Sequence, residues 1–234
     1  MLRSLLVVLP FTAVLAGAGF LVMIPVTWIL RDVGPMYAAA RMAVRMILRV
    51  AGMRLEASGP DPRLALQPCV YVCNHVSNVD PPAVFVCLPR VVIMAKAVVF
   101  RWPLLGHALK LAEFIPVERD QPDSRRRAME AGIERLRKGL SLLVFPEGTR
   151  SPDGALLPFR PEPFTMAIET QAPVVPITIA GTRRIMSKGK LGIRPGRVRL
   201  VFHPPIPTAG LSAGDRDALI QRVRTTIGSA LPIQ

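Results

Sequence analysis

The stretch CVYVCNHVSNVDPPAVFVCL, residues 69–88, decides the fold class. Cys69–Cys73 reads as a buried β-strand: a short apolar run, rich in β-branched and aromatic residues and closed by Asn74. Pro81-Pro82 follow Asp80, and proline is favoured in the first turn of a helix. A helix therefore starts at Asp80 and runs through Leu88. A strand leading through a short polar turn into a helix is the opening of a β-α unit. The pattern then repeats along the chain. Further strands are expected at Val91–Ala95, Phe114–Val117, Ser141–Phe145, Val174–Ala180 and Val198–His203. Helices are expected at Trp102–Leu111, Ser124–Lys138, Thr165–Thr170 and Asp215–Leu231. The alternation predicts an α/β domain, a central sheet flanked by helices.

The turn in that stretch, Asn74-His75-Val76-Ser77-Asn78-Val79-Asp80, carries chemistry. On one continuous helix His75 and Asp80 would be about 140° apart after a full turn and would not face each other. With the helix starting at Asp80, His75 lies in the preceding turn and the chain can fold back to join carboxylate and imidazole. Such a pair makes a general base, the carboxylate fixing the tautomer and supporting the imidazolium. The spacing equally admits a plain helix cap at Asp80 with His75 as a loop residue. A second constellation, Phe145-Pro146-Glu147-Gly148-Thr149-Arg150-Ser151, also follows a strand. Gly148 allows close backbone approach, Thr149 and Ser151 offer hydroxyls, and Arg150 can fork onto a phosphate. Arg119, just past another strand, is placed to reach the same end of the sheet. The run Arg125-Arg126-Arg127 reads as a solvated or headgroup-facing patch.

Composition narrows the partners. The 234 residues carry 30 basic and 16 acidic side chains, a formal charge of +14, and half of them are apolar. Mean hydropathy is +0.37. Disorder, a collagen and a disulfide scaffold are excluded. A basic, apolar chain suits an anionic surface, either a membrane or a nucleic acid. Aromatics make up only 6% of the chain, which leaves little for base stacking, and no nucleic-acid partner is expected. Cys69, Cys73 and Cys87 form no C-x-x-C pair and fit a reducing compartment. No metal site is expected, because no ligand set at zinc spacing accompanies Cys73 and His75. Neither a Gly-x-Ser-x-Gly elbow nor a P-loop or dinucleotide fingerprint is present. A base without a protein nucleophile implies direct attack by a substrate hydroxyl.

The N-terminal quarter reads differently. Ser4–Leu30 is a run of 27 residues without a charge, interrupted by Pro10 and Pro25. Its length favours a membrane element over a core helix. A cleaved signal with Ala16-Gly17-Ala18 as its site is the rival. Met36–Ala51 follows as a helix with Arg41, Arg45 and Arg49 on one face, suited either to a headgroup layer or to solvent. Arginines accumulate after the apolar run, which by the positive-inside rule puts the body of the chain in the cytoplasm. Residues 1–57 are thus expected to be a membrane-associated two-helix segment and 58–234 the α/β domain, joined through the turn-rich Ser58–Pro68.

Together, Asn74-His75-x-x-x-x-Asp80 and Phe145-Pro146-Glu147-Gly148-Thr149-Arg150-Ser151, with Phe114-Ile115-Pro116-Val117-Glu118-Arg119 and Val175-Pro176-Ile177, resemble the four blocks of the glycerolipid acyltransferase family. The likeness is greatest to the bacterial 1-acyl-sn-glycerol-3-phosphate acyltransferases and covers roughly residues 70–205. It implies an α/β domain preceded by a membrane-associated helical segment, at the inner membrane with the domain on the cytoplasmic side. By resemblance His75 is the base and Asp80 its partner. Arg119, Glu147, Gly148, Thr149 and Arg150 form the acceptor-phosphate site, and Pro176 shapes the pocket. The implied reaction moves an acyl group from acyl-CoA or acyl carrier protein to a lysophospholipid hydroxyl, without a cofactor. Membrane lipids, the acyl donor and the lysophospholipid acceptor are the implied partners. A lyso-aminolipid acceptor and a thioester hydrolase are the alternatives. Two positions depart from the family pattern: Glu113 and Glu162 stand where it has glycine. A carboxylate beside a bound phosphate would repel it, so both are expected to point outward unless the acceptor lacks a phosphate.

Overall fold

The computed structural model describes residues 22–64, 67–187, 189 and 192–232. Residues 4–21 of the uncharged run, with the expected first membrane element and the possible cleavage site, lie outside them. Residues 22–30 are helical (α1) and lead through a turn into α2 (Gly34–Val50). Then come β1 (Met53–Ser58), β2 (Val70–Cys73), α3 (Asp80–Phe85), β3 (Val91–Lys96), α4 (Leu105–Leu111) and β4 (Ile115–Val117). The remainder is α5 (Pro122–Arg137), β5 (Ser141–Val144), α6 (Glu162–Thr170), β6 (Val174–Ala180), α7 (Thr182–Ile185), β7 (Gly196–Phe202) and α8 (Arg216–Ser229).

The strands form one sheet in the order β1-β7-β6-β2-β5-β3-β4. The five strands from β6 to β4 run parallel, and β7 pairs antiparallel to β6. Burial explains the difference in their sequences. Every residue of β2 and β6 is buried, so both read as continuous apolar runs, as strands covered on two faces do. β7 alternates, with Val198, Leu200 and Phe202 buried and Arg197 and Arg199 exposed. Successive residues of each central strand feed opposite cores. Tyr71, Cys73, Ile93, Leu143 and Ile177 pack with α2 and α3 on one face. Val70, Val72, Val92, Leu142 and Val144 pack with α5, α6 and α8 on the other. The result is three layers.

Topology then selects the site. From β2 the chain crosses over β5 to β3, whereas from β5 it crosses over β2 to β6. The two crossovers leave in opposite directions, so a crevice opens between the carboxyl ends of β2 and β5. Such a reversal of strand order is where open α/β sheets bind ligands.

The expected alternation matches the observed elements to within a few residues; the short α7 had no expected counterpart, and three further differences matter more. β1 had no counterpart among the expected strands: MRLEAS has only short alternation, and it is held by parallel pairing to β7 far along the chain. The sheet therefore begins at Met53, ahead of the expected boundary at 57/58, and Tyr37 and Leu48 of α2 share its core. Trp102–Leu111 is not one helix. A 3-10 turn at Ala97–Arg101 and a bend with Leu104 at φ +61° precede α4. The third difference concerns the arginine face of α2. Arg41 Nη1 donates to the Leu88 carbonyl at 3.2 Å, and Arg45 Nη2 to the Val86 carbonyl at 2.9 Å. Both acceptors lie just past the end of α3, where cations satisfy orphan carbonyls and the helix dipole. Two of the three arginines thus fasten α2 to the domain. Replacing both by Met should cost about 1–3 kcal/mol, the worth of charge-assisted hydrogen bonds in a partly solvated setting. Urea unfolding checks this, and Arg49→Met, on an exposed arginine, should change little.

Candidate active site

Asp80 is the first residue of α3 and is fully buried. Its carboxylate turns back rather than forward. Oδ2 accepts the Val76 and Ser77 backbone N–H groups, each at 2.7 Å, and lies 2.8 Å from Nδ1 of buried His75. No side-chain capping bond is made at the start of α3. The geometry therefore decides between the two readings of the spacing: the carboxylate holds the histidine and its turn rather than capping the helix. An ionised carboxylate accepts only, which makes Nδ1 the donor in this contact and turns Nε2 away from Asp80.

Three neighbours fix the turn. The Asn74 side chain donates to the Ile179 carbonyl at 3.0 Å and accepts its N–H at 2.8 Å, tying the end of β2 to β6. Ser77 Oγ donates to the Met186 carbonyl at 2.7 Å. Glu147, from the loop after β5, accepts the His75 N–H on Oε1 at 2.8 Å and the Leu157 N–H on Oε2 at 3.1 Å. The Phe145 ring lies 4.5 Å from the imidazole, centre to centre. Phe145 thereby joins the His75 turn to the adjoining cleft.

That cleft opens to solvent and has a cavity volume of about 70 Å³. Its floor is apolar, with Met94, Val117, Met129 and Val144, and Arg119, Arg125, Arg160 and Glu162 line it as well. Arg119 Nη1 donates to the Gly148 carbonyl at 2.8 Å. Arg125 and Arg160 both donate to the Arg119 carbonyl, at 3.1 and 3.0 Å. Burial, with Arg160 and Arg150 close by, pushes the Arg119 guanidinium below its ordinary pKa. Cations crowded this closely are stabilised by an anion, and a phosphate matches their forked donors. Gly148 has φ +67°, and a Cβ there would collide with the Arg160 side chain. A glycine suits this position, which has a positive φ and lies against the Arg160 side chain.

Of the residues singled out in the sequence, His75 and Asp80 are joined directly, and Glu147 ties them to the cleft. Arg119 and Gly148 line the cleft, Arg150 is close to Arg119, and Thr149 is exposed beside them. Pro176 stands apart, paired with Val72 inside the sheet, its carbonyl accepting the His203 N–H. Arg125 is a correction: it faces the cleft, while Arg126 pairs outward with Glu130 at 2.8 Å and Arg127 is exposed. Arg160 and Asn74 join the site without a role expected from the sequence. Arg160 lies outside the four family-like stretches, and no short-range pattern marks it. The two departures separate. Glu113 points away, pairing with Arg135 at 3.0 Å, and its φ of +62° shows why a glycine suits that position. Glu162 does line the cleft, with its charge offset by Arg125 at 3.0 Å.

Burial raises the Glu147 carboxyl to about 7, against the two N–H groups that favour its ionised form. A raised folded pKa means that the folded protein holds the extra proton. This contribution to stability is full below the ordinary value of 4.5 and is lost as pH rises through about 7. Urea unfolding of wild type, compared with Glu147→Gln, should show stability falling with pH across that window in wild type only.

Residues 54–180 match the acyltransferase family model. The chain is 41% identical over 140 residues to 1-acyl-sn-glycerol-3-phosphate acyltransferase BAT2, chloroplastic, of Brassica napus, which covers 59% of this chain and 41% of that protein. The chain thus spans well under half the length of that relative. It is 33% identical over 186 residues to human 1-acyl-sn-glycerol-3-phosphate acyltransferase alpha, covering 79% of this chain and 66% of that one. The crystal structure of the 1-acyl-sn-glycerophosphate (LPA) acyltransferase PlsC from Thermotoga maritima superposes with a TM-score of 0.82 at 24% identity, over 97% of this chain and 94% of that one. It shares the fold. With its family model matched over more than half its length, the chain belongs to the acyltransferase family.

Proposed function

We propose that the protein transfers a fatty acyl group from acyl-CoA or acyl carrier protein to the free sn-2 hydroxyl of 1-acylglycerol-3-phosphate, giving phosphatidic acid. The observation that carries this reading is the buried Asp80–His75 pair at 2.8 Å beside an arginine-lined cleft. The names of the relatives point the same way. In this mechanism Nε2 of His75 takes the proton of the hydroxyl, and the oxygen attacks the thioester carbonyl. Asp80 stabilises the imidazolium. The tetrahedral intermediate collapses, the C–S bond breaks, and the imidazolium returns its proton to the departing thiolate. Arg119, Arg150 and Arg160 hold the acceptor phosphate, with Gly148 and Thr149 at its edge. The chain's own side chains suffice for each proton transfer.

We also infer attachment to a membrane through the N-terminal segment, preceding a catalytic domain that faces the cytoplasm. Trp28, Ile29 and Leu30 of α1 are exposed, as are Met42 and Met46 beside the arginines of α2. These exposures support a shallow interfacial anchor. Among the described residues no helix is long and apolar enough to cross a membrane. An enzyme held at the bilayer avoids extracting its lipids into water, at about 0.8 kcal/mol per CH₂.

The test is purified protein with each acyl donor and a panel of lyso-acceptors, following free thiol and lipid product together. Equal release of thiol and phosphatidic acid, dependent on lysophosphatidic acid, is expected. Thiol release without acceptor would establish a hydrolase, and preference for a lyso-aminolipid would give Glu162 a direct role. His75→Ala should lower kcat by roughly 10²–10⁴ while the protein stays folded. Arg119→Ala and Arg160→Ala should raise the acceptor KM more than the donor KM, and Arg160→Lys should not rescue a forked contact.

A further inference from the structure

A second apolar surface lies far from α1 in the sequence. Val98, Trp102 and Leu104 are 44%, 56% and 50% exposed, in the segment joining β3 to α4. Large apolar side chains grouped on a loop, rather than scattered singly, mark a contact surface. The segment is firmly built. Leu104 is held at φ +61°, the Gly106 N–H donates to the Trp102 carbonyl at 2.9 Å, and Gly106 lies so close to the Phe100 carbonyl that a Cβ would not fit. These residues hold the loop in a conformation that carries Trp102 and Leu104 outward.

The charge of the segment points to the partner. Lys96, Arg101 and Lys110, within and beside it in the chain, are exposed. From residue 81 to residue 112 the chain contains no Asp or Glu. Tryptophan and leucine with a basic surround fit the boundary of an anionic bilayer, where the indole sits at headgroup level and the cations meet phosphates. Location adds to this. The segment leaves the carboxyl end of β3, whose neighbour is β5, and β5 adjoins β2. Strands about 4.8 Å apart put it roughly 10 Å from the strand that leads into His75, on the same rim of the sheet.

We propose that the Val98–Leu104 segment is a second membrane-contact site, which inserts Trp102 and Leu104 into an anionic phospholipid surface independently of the N-terminal segment. It turns the rim carrying the His75 and Glu147 loops toward the lipid. The inference concerns attachment, beyond the acyl-transfer reading, and its test contains neither acyl donor nor lyso-acceptor, so the two can fail separately.

Trp28 and Trp102 are the two tryptophans of the chain. In full-length Trp28→Phe protein, Trp102 is therefore the sole indole reporter. The protein is bound to phosphatidylglycerol/phosphatidylcholine vesicles with acyl chains either brominated or plain. Blue-shifted Trp102 emission, quenched by the brominated chains, is expected. In addition, Trp102→Ser/Leu104→Ser should need about tenfold more lipid for half-binding, from the apolar surface withdrawn. Equal Trp102 emission in brominated and plain vesicles that carry bound protein would overturn the proposal. So would shielding of Trp102 from acrylamide by self-association, seen as a dimer in sedimentation.

Discussion

One carboxylate oxygen organises the site. Oδ2 of Asp80 takes three hydrogen bonds, from Val76 N, Ser77 N and His75 Nδ1, inside a fully buried environment. An ionised carboxylate stripped of water is costly unless such donors replace its hydration. Two of the donors are backbone groups of the turn itself, so compensating the charge and shaping the turn are one event. The histidine is thereby delivered with its tautomer set. Proline at the start of α3 contributes by fixing where the helix begins, which places Asp80 at its first residue rather than within it.

The sheet brings the second half of the site. Reversed crossovers place the β2 and β5 loops side by side, and Glu147 ties the backbones after both strands through His75 N and Leu157 N. A buried acceptor between two N–H donors is a rigid link, and it adjoins a cleft where guanidinium groups converge on the Gly148–Arg119 contact. The arginine-lined cleft and the His75–Asp80 pair are thus adjacent, with Phe145 between them. Glu162, paired with Arg125, tempers that field without removing it.

What could be read from the sequence was local. Strand, turn and helix around His75 follow from apolar runs and a proline pair, whereas the choice between a His75–Asp80 pair and a plain cap needed the backbone that turns the carboxylate back. Features set by packing between distant segments were not readable. Arg125 and Arg126 are neighbours in a basic run; helical spacing pairs Arg126 with Glu130, but only the mounting of α5 on the sheet sends Arg125 into the cleft. The common face of Arg41 and Arg45 was evident from helical spacing, but its target, the carbonyls beyond α3, was not. β1 is held by pairing with β7, and no short-range pattern announces that. The glycine expected at position 113 shows the opposite case: its reason, a positive φ, became visible only in the backbone that Glu113 adopts.

The central claim, that Asp80 fixes His75 with its lone pair on Nε2, is tested most directly by ¹⁵N NMR of the histidine side chains. The chain has three histidines, and His75→Gln assigns the signal by its loss. A neutral His75 protonated on Nδ1, with an unprotonated Nε2, is predicted, and this preference should weaken in Asp80→Asn. A neutral His75 carrying its proton on Nε2 in the wild type would contradict the account.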